Sequence, residues 1–383
     1  MHLYLHIPFC KQACHYCDFH FSTNLTAKAA LVAAICREIE LQKDYLPTRR
    51  LETIYLGGGT PSLLTDSELG QIFETVHRIF SVQDDAEITL EANPDDLNAA
   101  KLTALKPYIN RLSIGLQSFH EPYLRFMNRA HNAAESERCV KLAQDHGFEN
   151  LTIDLIYGMS ESLLGIGSSV DSAEQLWQRD LESATALNVP HISAYNLTIE
   201  PKTALGHWLK KGKIQPIDEE LSARQFEQMT AFLGDKGYEQ YEISNFAREG
   251  RYARHNSSYW KRRPYLGVGP SAHSFNITSR QYNIANNARY IKVLQEGQLA
   301  FEIENLTPFD RVNDYLLTGL RTVWGCDLEV IQEMAGINLR EIQKSYITAF
   351  LEKGWVQIVD NLLLLTPKGR LFADRIASDL FLV

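Results

Sequence analysis

The stretch FCKQACHYCDF, Phe9 to Phe19, places Cys10, Cys14 and Cys17 at C-x3-C-x2-C spacing. Three thiolates on one short loop are one ligand short of a closed metal site. Structural zinc takes four ligands, usually as two pairs on separate loops, and this chain has no second cysteine pair. His15 and His20 lie close enough in sequence to complete a zinc site, so zinc stays open. A 4Fe–4S cluster is the other reading: three cysteines hold three irons and leave the fourth iron open to a small molecule. Cys36, Cys139 and Cys326 stand alone in helical-looking contexts and read as small buried hydrophobes.

The elements that must position this loop alternate strand and helix. Strands are expected at His2–Ile7, Glu52–Leu56, Glu87–Glu91, Arg111–Leu116, Asn150–Ile156 and His191–Asn196. Helices are expected at Thr26–Leu46, from the Thr65–Glu68 capping box to Phe80, and at Ala133–His146 and Ala173–Leu187. Six such units predict a parallel sheet, barrel-like or doubly wound. Every strand ends in something chemically useful. The first leads to the cysteines, the second to Gly57, Gly58, Gly59 and Thr60. The third ends at Glu91 and the fourth at Gln117. The fifth carries Asp154, and the sixth ends at Tyr195 and Asn196. In β/α barrels that face builds the active site. Glycines there let backbone approach a ligand closely, and Arg129 offers a guanidinium fork for a carboxylate.

The rest of the chain is less regular. Ser160–Glu174, rich in Ser and Gly, reads as a mobile surface excursion, with a tolerated insertion of no special role the favoured account of it. Helices are expected around Asp218–Lys236 and Asn287–Glu296, then near Pro308–Val323 and Leu339–Lys353. A strand, an Asp-Asn turn, a strand and a helix follow, a winged-helix-like α+β unit. The expected division is 1–200, 201–306 and 307–383. Winged helices often bind DNA, but 38 basic against 47 acidic residues give a net charge of −9, and no basic recognition helix is visible. A structural or lid role is favoured, with no nucleic-acid partner. No run reaches the ~20 apolar residues of a membrane span, and the N-terminus lacks the marks of a secretory signal. A cytoplasmic protein without stable membrane insertion is the expectation.

The cysteine triplet directly after a first strand, with Tyr16 before the third cysteine, resembles the radical S-adenosylmethionine superfamily. The resemblance implies that the open iron is chelated by the amino and carboxylate groups of S-adenosylmethionine. Reduction by one electron would then cleave the sulfonium to a 5′-deoxyadenosyl radical. YLHIPFC, YLGGGTPS, LEANPD, SIGLQSF, DLIYG and GVGPSAHS together resemble the oxygen-independent coproporphyrinogen III oxidase family over nearly the whole chain. That family's fold is an incomplete, six-unit β/α barrel. Its cofactor contacts fall here on Tyr4, Tyr16, Gly58, Gly59, Thr60, Glu91, Gln117, Arg129 and Asp154, and more loosely on Thr198 and His273.

The chain departs from the oxidases in two ways. The oxidases carry a further cysteine where this chain has Phe19, and they have an N-terminal extension where this chain starts almost at its first strand. Both departures are shared with a haem-chaperone branch of the family. RHNSSYW is similar to that branch's H-N-x-x-Y-W haem motif, here His255, Asn256, Tyr259 and Trp260. An imidazole or a tyrosine is a natural haem-iron ligand; His273 is a second candidate. The resemblance therefore implies a haem chaperone. It would hold haem, a 4Fe–4S cluster and S-adenosylmethionine, pass haem to an unidentified acceptor protein, and lack oxidase activity. The alternative is the oxidase itself, converting two propionates of coproporphyrinogen III to vinyl groups in haem biosynthesis.

Overall fold

A computed structural model describes residues 1–164 and 171–382. Six strands lie side by side and parallel: β1 (His2–Ile7), β2 (Arg50–Gly58), β3 (Ser81–Ala92), β4 (Arg111–Gln117), β5 (Asn150–Tyr157) and β6 (His191–Asn196). They are joined by α1 (Lys28–Leu41), α2 (Asp66–Ile79), α3 (Ala99–Leu105), α4 (Glu121–Phe126), α5 (Ala133–Asp145), α6 (Glu161–Leu164) and α7 (Ala173–Ala186). Local sequence sets several of these starts. Thr65 and Glu68 cap α2 reciprocally, as do Asn132 and Glu135 on α5 and Ser172 and Gln175 on α7. Within Ser160–Glu174, residues 165–170 lie outside the described residues. The excursion is not all surface: Leu163 on α6 is 1% exposed and packs on Leu205 and Met159.

After β6 come α8 (Ala204–Lys210) and α9 (Glu219–Asp235). Then β7 (Glu239–Glu242) and β8 (Asn245–Ala247) extend the sheet antiparallel beyond β6. The short α10 (Arg254–Trp260) leads to β9 (Tyr265–Val268), which pairs parallel with β1. So a seventh parallel strand comes from a stretch that reads as irregular. β10 (His273–Phe275), β11 (Ser279–Asn283) and, after α11 (Asn287–Gln295), β12 (Phe301–Asn305) complete that edge. The order β12-β11-β10-β9-β1-β2-β3-β4-β5-β6-β8-β7 is an open sheet, a partial barrel. Residues 201–306 thus supply both of its edges.

The C-terminal unit comprises α12 (Pro308–Gly319), β13 (Cys326–Asp327), α13 (Leu328–Ala335), α14 (Leu339–Ile342), α15 (Lys344–Glu352), β14 (Val356–Val359), β15 (Leu362–Leu365) and α16 (Ala373–Asp379). It has its own apolar core around Val312, Ile331, Phe350 and Ile376. Asp360 and Asn361 turn the β14–β15 hairpin with φ of 47° and 67°, the left-handed pair a tight hairpin turn needs. The single helix expected at Leu339–Lys353 is broken at Gln343, whose amide donates to the carbonyls of Leu380 and Phe381 at 3.3 and 3.1 Å. Cys326 sits in a strand, not a helix. It is buried, as are Cys36 and Cys139.

The parallel strands alternate over the stretches that line the cavity, with irregularities at Leu51/Thr53 and Gly115/Gln117. Leu3, Leu5, Ile54, Leu56, Leu90, Leu112, Ile114, Ile153 and Ile192 point outward into the core shared with the helices. The alternate residues, including Tyr55, Thr89, Glu91, Arg111, Ser113, Thr152, Asp154 and Ser193, point inward and line a cavity. This barrel interior is therefore an open cavity, with polar side chains in its wall, rather than a filled core.

Gly59 is fixed by close approach. A β-carbon there would meet Ile7 O, Phe9 N and Phe9 O at 2.8 Å each. All three are backbone atoms and cannot swing aside. Gly59→Ala is expected to cost about 1–3 kcal/mol, read as a lowered denaturant midpoint. An unchanged midpoint would contradict the packing described.

Candidate functional site

The cysteine loop leaves β1 and is held by backbone. Cys10 N donates to Ser22 O at 3.1 Å and Ser22 N to Pro8 O at 2.8 Å. Its far side is clamped to the end of α4: His15 N donates to Met127 O at 3.1 Å, Gln12 Nε2 donates to Asn128 Oδ1 at 2.7 Å, and Asn128 Nδ2 donates to Ala13 O at 2.7 Å. Cys10, Cys14 and Cys17 thereby line one cavity of about 550 Å³ at the C-terminal ends of the strands.

Cys17 is pushed up to about 12, first by burial and further by the neighbouring Cys14 and Cys10. Cys10 is raised by burial as well, against the hydroxyl of Thr60 donating at 3.4 Å. Thiolates so placed need a strongly cationic partner. Among the described residues, no three His, Cys, Asp or Glu side chains converge where one metal ion could sit. Three thiols on one cavity suit ligands to the separate irons of a cluster. The zinc alternates are engaged elsewhere: His15 Nδ1 lies 2.7 Å from Phe126 O, and His20 Nε2 2.7 Å from Asn287 Oδ1. The donor set fits an iron–sulfur cluster.

Arg129 stands against this loop. Nη1 is 3.3 Å from Cys14 Sγ and 3.4 Å from the Tyr16 hydroxyl, while Nη2 donates to Asn93 Oδ1 at 2.6 Å and Gly115 O at 2.7 Å. Nε is buried without a partner, and no carboxylate of a described residue pairs with it. Burial opposes its charge, but Tyr16 and Cys14 outweigh burial and hold it cationic. A buried guanidinium without a carboxylate fits an anionic ligand group.

Two carboxylates line the same cavity, one from β3 and one from β5. Glu91 accepts from the Tyr55 hydroxyl at 2.8 Å and from Gly58 N at 3.1 Å. Burial still raises it to about 7, and Asp154 adds to the shift. Asp154 accepts from Ser113 at 3.2 Å and is raised by burial to about 6. The glycine turn serves the fold as well as the cavity: Gly58 adopts φ of 104°, and a β-carbon there would strike the His6 ring at 2.5 Å.

Of the residues singled out from sequence, Cys10, Cys14, Cys17, Tyr16, Gly58, Gly59, Thr60, Glu91, Gln117, Arg129, Asp154, Thr198 and Asn256 all line the cavity. Tyr4 and His273 do not. Tyr4 hydrogen-bonds His6 Nδ1 at 3.1 Å and stacks on Tyr55, whereas His273 is exposed on β10 against Tyr282. His255 is 1% exposed. Its Nδ1 is 2.6 Å from Thr53 Oγ1, its Nε2 is 2.7 Å from the Tyr259 hydroxyl, and its ring stacks on Tyr55. Both ring nitrogens and the tyrosine are engaged inside the protein. Trp260 lies beneath the Arg321 guanidinium with its own Nε1 unpartnered. The cavity also recruits Tyr55, Asn93, Arg111, Ser113, Thr152 and Ser193, which strand-end reading misses. Inward alternation along each strand was the signal that finds them.

The fold agrees with what comparison with known proteins finds. The radical SAM superfamily model matches residues 4–163 and the HemN C-terminal domain model residues 306–372. A solved structure described as coproporphyrinogen III oxidase (HemN) from Escherichia coli, a radical SAM enzyme, superposes with a TM-score of 0.83 at 22% identity, covering 99% of this chain and 89% of that one. The fold is thus the radical SAM fold. Heme chaperone HemW of Bacillus subtilis (strain 168) is 31% identical over 380 residues, 97% of each chain. Heme chaperone HemW of Escherichia coli (strain K12) is 37% identical over 274 residues, 71% of this chain and 69% of that one. The chain belongs to the heme chaperone HemW family. Among the described residues no helix is long and apolar enough to cross a membrane.

Proposed function

We propose that this protein is a cytoplasmic haem chaperone that holds a 4Fe–4S cluster on Cys10, Cys14 and Cys17, binds S-adenosylmethionine in the adjoining cavity, and delivers haem to an acceptor protein. The observation that carries the cofactor part is the convergence of three thiols, one guanidinium without a carboxylate partner and two raised carboxylates on a single cavity. When bound, the cluster supplies an electron and an open iron position to S-adenosylmethionine. The chain's own residues do the rest. Arg129 offers its charge and its unpartnered Nε–H to a carboxylate, Glu91 and Asp154 accept from ammonium or hydroxyl donors, and Tyr16 and Thr60 shape the wall beside the thiols. The haem part rests on family membership and on the motif His255, Asn256, Tyr259 and Trp260. For His255 to reach iron, its bonds to Thr53 and Tyr259 must open. Haem loading therefore involves movement of α10.

Glu91 sets a pH dependence. Its carboxyl is held near 7 in the folded protein, so below that pH it is protonated and a cationic ligand must displace the proton. S-adenosylmethionine affinity should fall by about tenfold per pH unit below about 7 and level off above it. Glu91→Gln should bind more weakly and show no such slope. A flat profile in the wild-type protein would contradict this role.

Anaerobic haem titration of the reconstituted protein, followed by absorbance, tests the functional reading. Saturable one-to-one binding that weakens in His255→Ala is expected. Absence of saturable binding would overturn it and leave the oxidase reaction to be assayed.

A further inference from the structure

A second cleft of about 300 Å³ opens at the opposite, N-terminal end of the strands, lined by His2, Thr53, Ser257 and, among others, the three cations Arg254, Lys261 and Arg263. Helix α10 separates the two cavities: Asn256 faces the cofactor cavity, whereas the next residue, Ser257, faces this one. The cleft has an excess of positive charge. Its one carboxylate, Glu52, already pairs with the Met1 ammonium at 2.9 Å. Arg263 has no acceptor for its guanidinium among the described residues, and Lys261 rests 4.0 Å above the Trp324 ring rather than on an acid. Arg254 reaches Asp85 O at 2.6 Å, and its contact with the exposed Asp85 carboxylate is longer, 3.5 Å. Ser257 is only 6% exposed, and its buried hydroxyl has no partner.

Three cations and an unpartnered hydroxyl donor around one cleft call for an oxygen anion of the carboxylate or phosphate type. We propose that this cleft takes the propionate carboxylates of haem. The inference rests on the haem reading above and adds a recognition site to it. The same seven-residue helix carries the haem motif and supplies Arg254, one residue before His255, and Ser257, two residues after it, so a haem engaging His255 has these donors close by. Lys261 and Arg263 follow directly after the helix. Burial first, then the neighbouring Arg263, lowers the Lys261 ammonium.

The test compares haem with haem dimethyl ester on the reconstituted full-length protein, and haem on the Lys261→Glu/Arg263→Glu double variant. Loss of the charged contacts should weaken binding by about tenfold or more in both arms. Ester and acid binding within twofold of each other would overturn the proposal. The ester arm uses wild-type protein and so does not depend on how the double variant folds. Haem binding that survives both changes refutes this site alone, whereas wild-type protein that binds no haem refutes the chaperone reading with it.

Discussion

Cys14→Ala, reconstituted anaerobically with iron and sulfide, is expected to retain almost no iron and no brown colour while keeping its fold. Cys14 is the middle ligand of the loop and lies against Arg129 at 3.3 Å. Two thiolates do not hold a four-iron cluster. No other thiol can substitute: Cys36, Cys139 and Cys326 are buried away from the cavity, the last two against the carbonyls of Ser136 and Tyr315. The loop itself is held by backbone bonds to Ser22 and Met127 and by the Gln12–Asn128 pair, none of which uses the Cys14 side chain. Circular dichroism should therefore match the wild type. Normal iron and sulfide in the variant would show that the cluster assignment is wrong.

Arg129→Ala should weaken S-adenosylmethionine binding by about 100-fold, because removing one partner of a buried charged hydrogen-bond pair costs roughly 2–5 kcal/mol. The guanidinium is the cation set against the thiols, and its fork is anchored by Asn93 and Gly115 O, which fixes its direction. Arg129→Lys should recover only part of the loss, since an ammonium keeps the charge but not the bidentate geometry. Anaerobic calorimetry reads both variants. Wild-type affinity in Arg129→Ala would remove Arg129 from the ligand site.

How far the site was legible depended on where its residues sit. Strand ends announce themselves, because a polar residue closing a β-rich run is conspicuous; hence Glu91, Gln117 and Asp154 stood out and all line the cavity. Ser113, Thr152 and Ser193 lie one or two inward positions deeper. Small hydroxyls inside a strand look like satisfied core groups, so only the alternation with Leu112, Ile153 and Ile192 betrays them. β9 is four residues between Arg-Pro and Gly-Pro, too short to show a period, and its pairing with β1 spans most of the chain. Local sequence cannot report such a contact. The capping box at Thr65 and the Asp360-Asn361 turn are local, and both were plain. The environment of His255 was not. Its neighbours Thr53 and Tyr55 come from β2, some two hundred residues earlier.

The central claim is that the strand-end cavity holds a three-cysteine cluster with one open iron beside a ligand pocket. Electron paramagnetic resonance of the reduced, reconstituted protein, recorded with and without S-adenosylmethionine, tests it most directly. A 4Fe–4S signal whose g values shift when S-adenosylmethionine is added is the predicted result. A signal that S-adenosylmethionine leaves unchanged, or no cluster signal at all, would contradict the account.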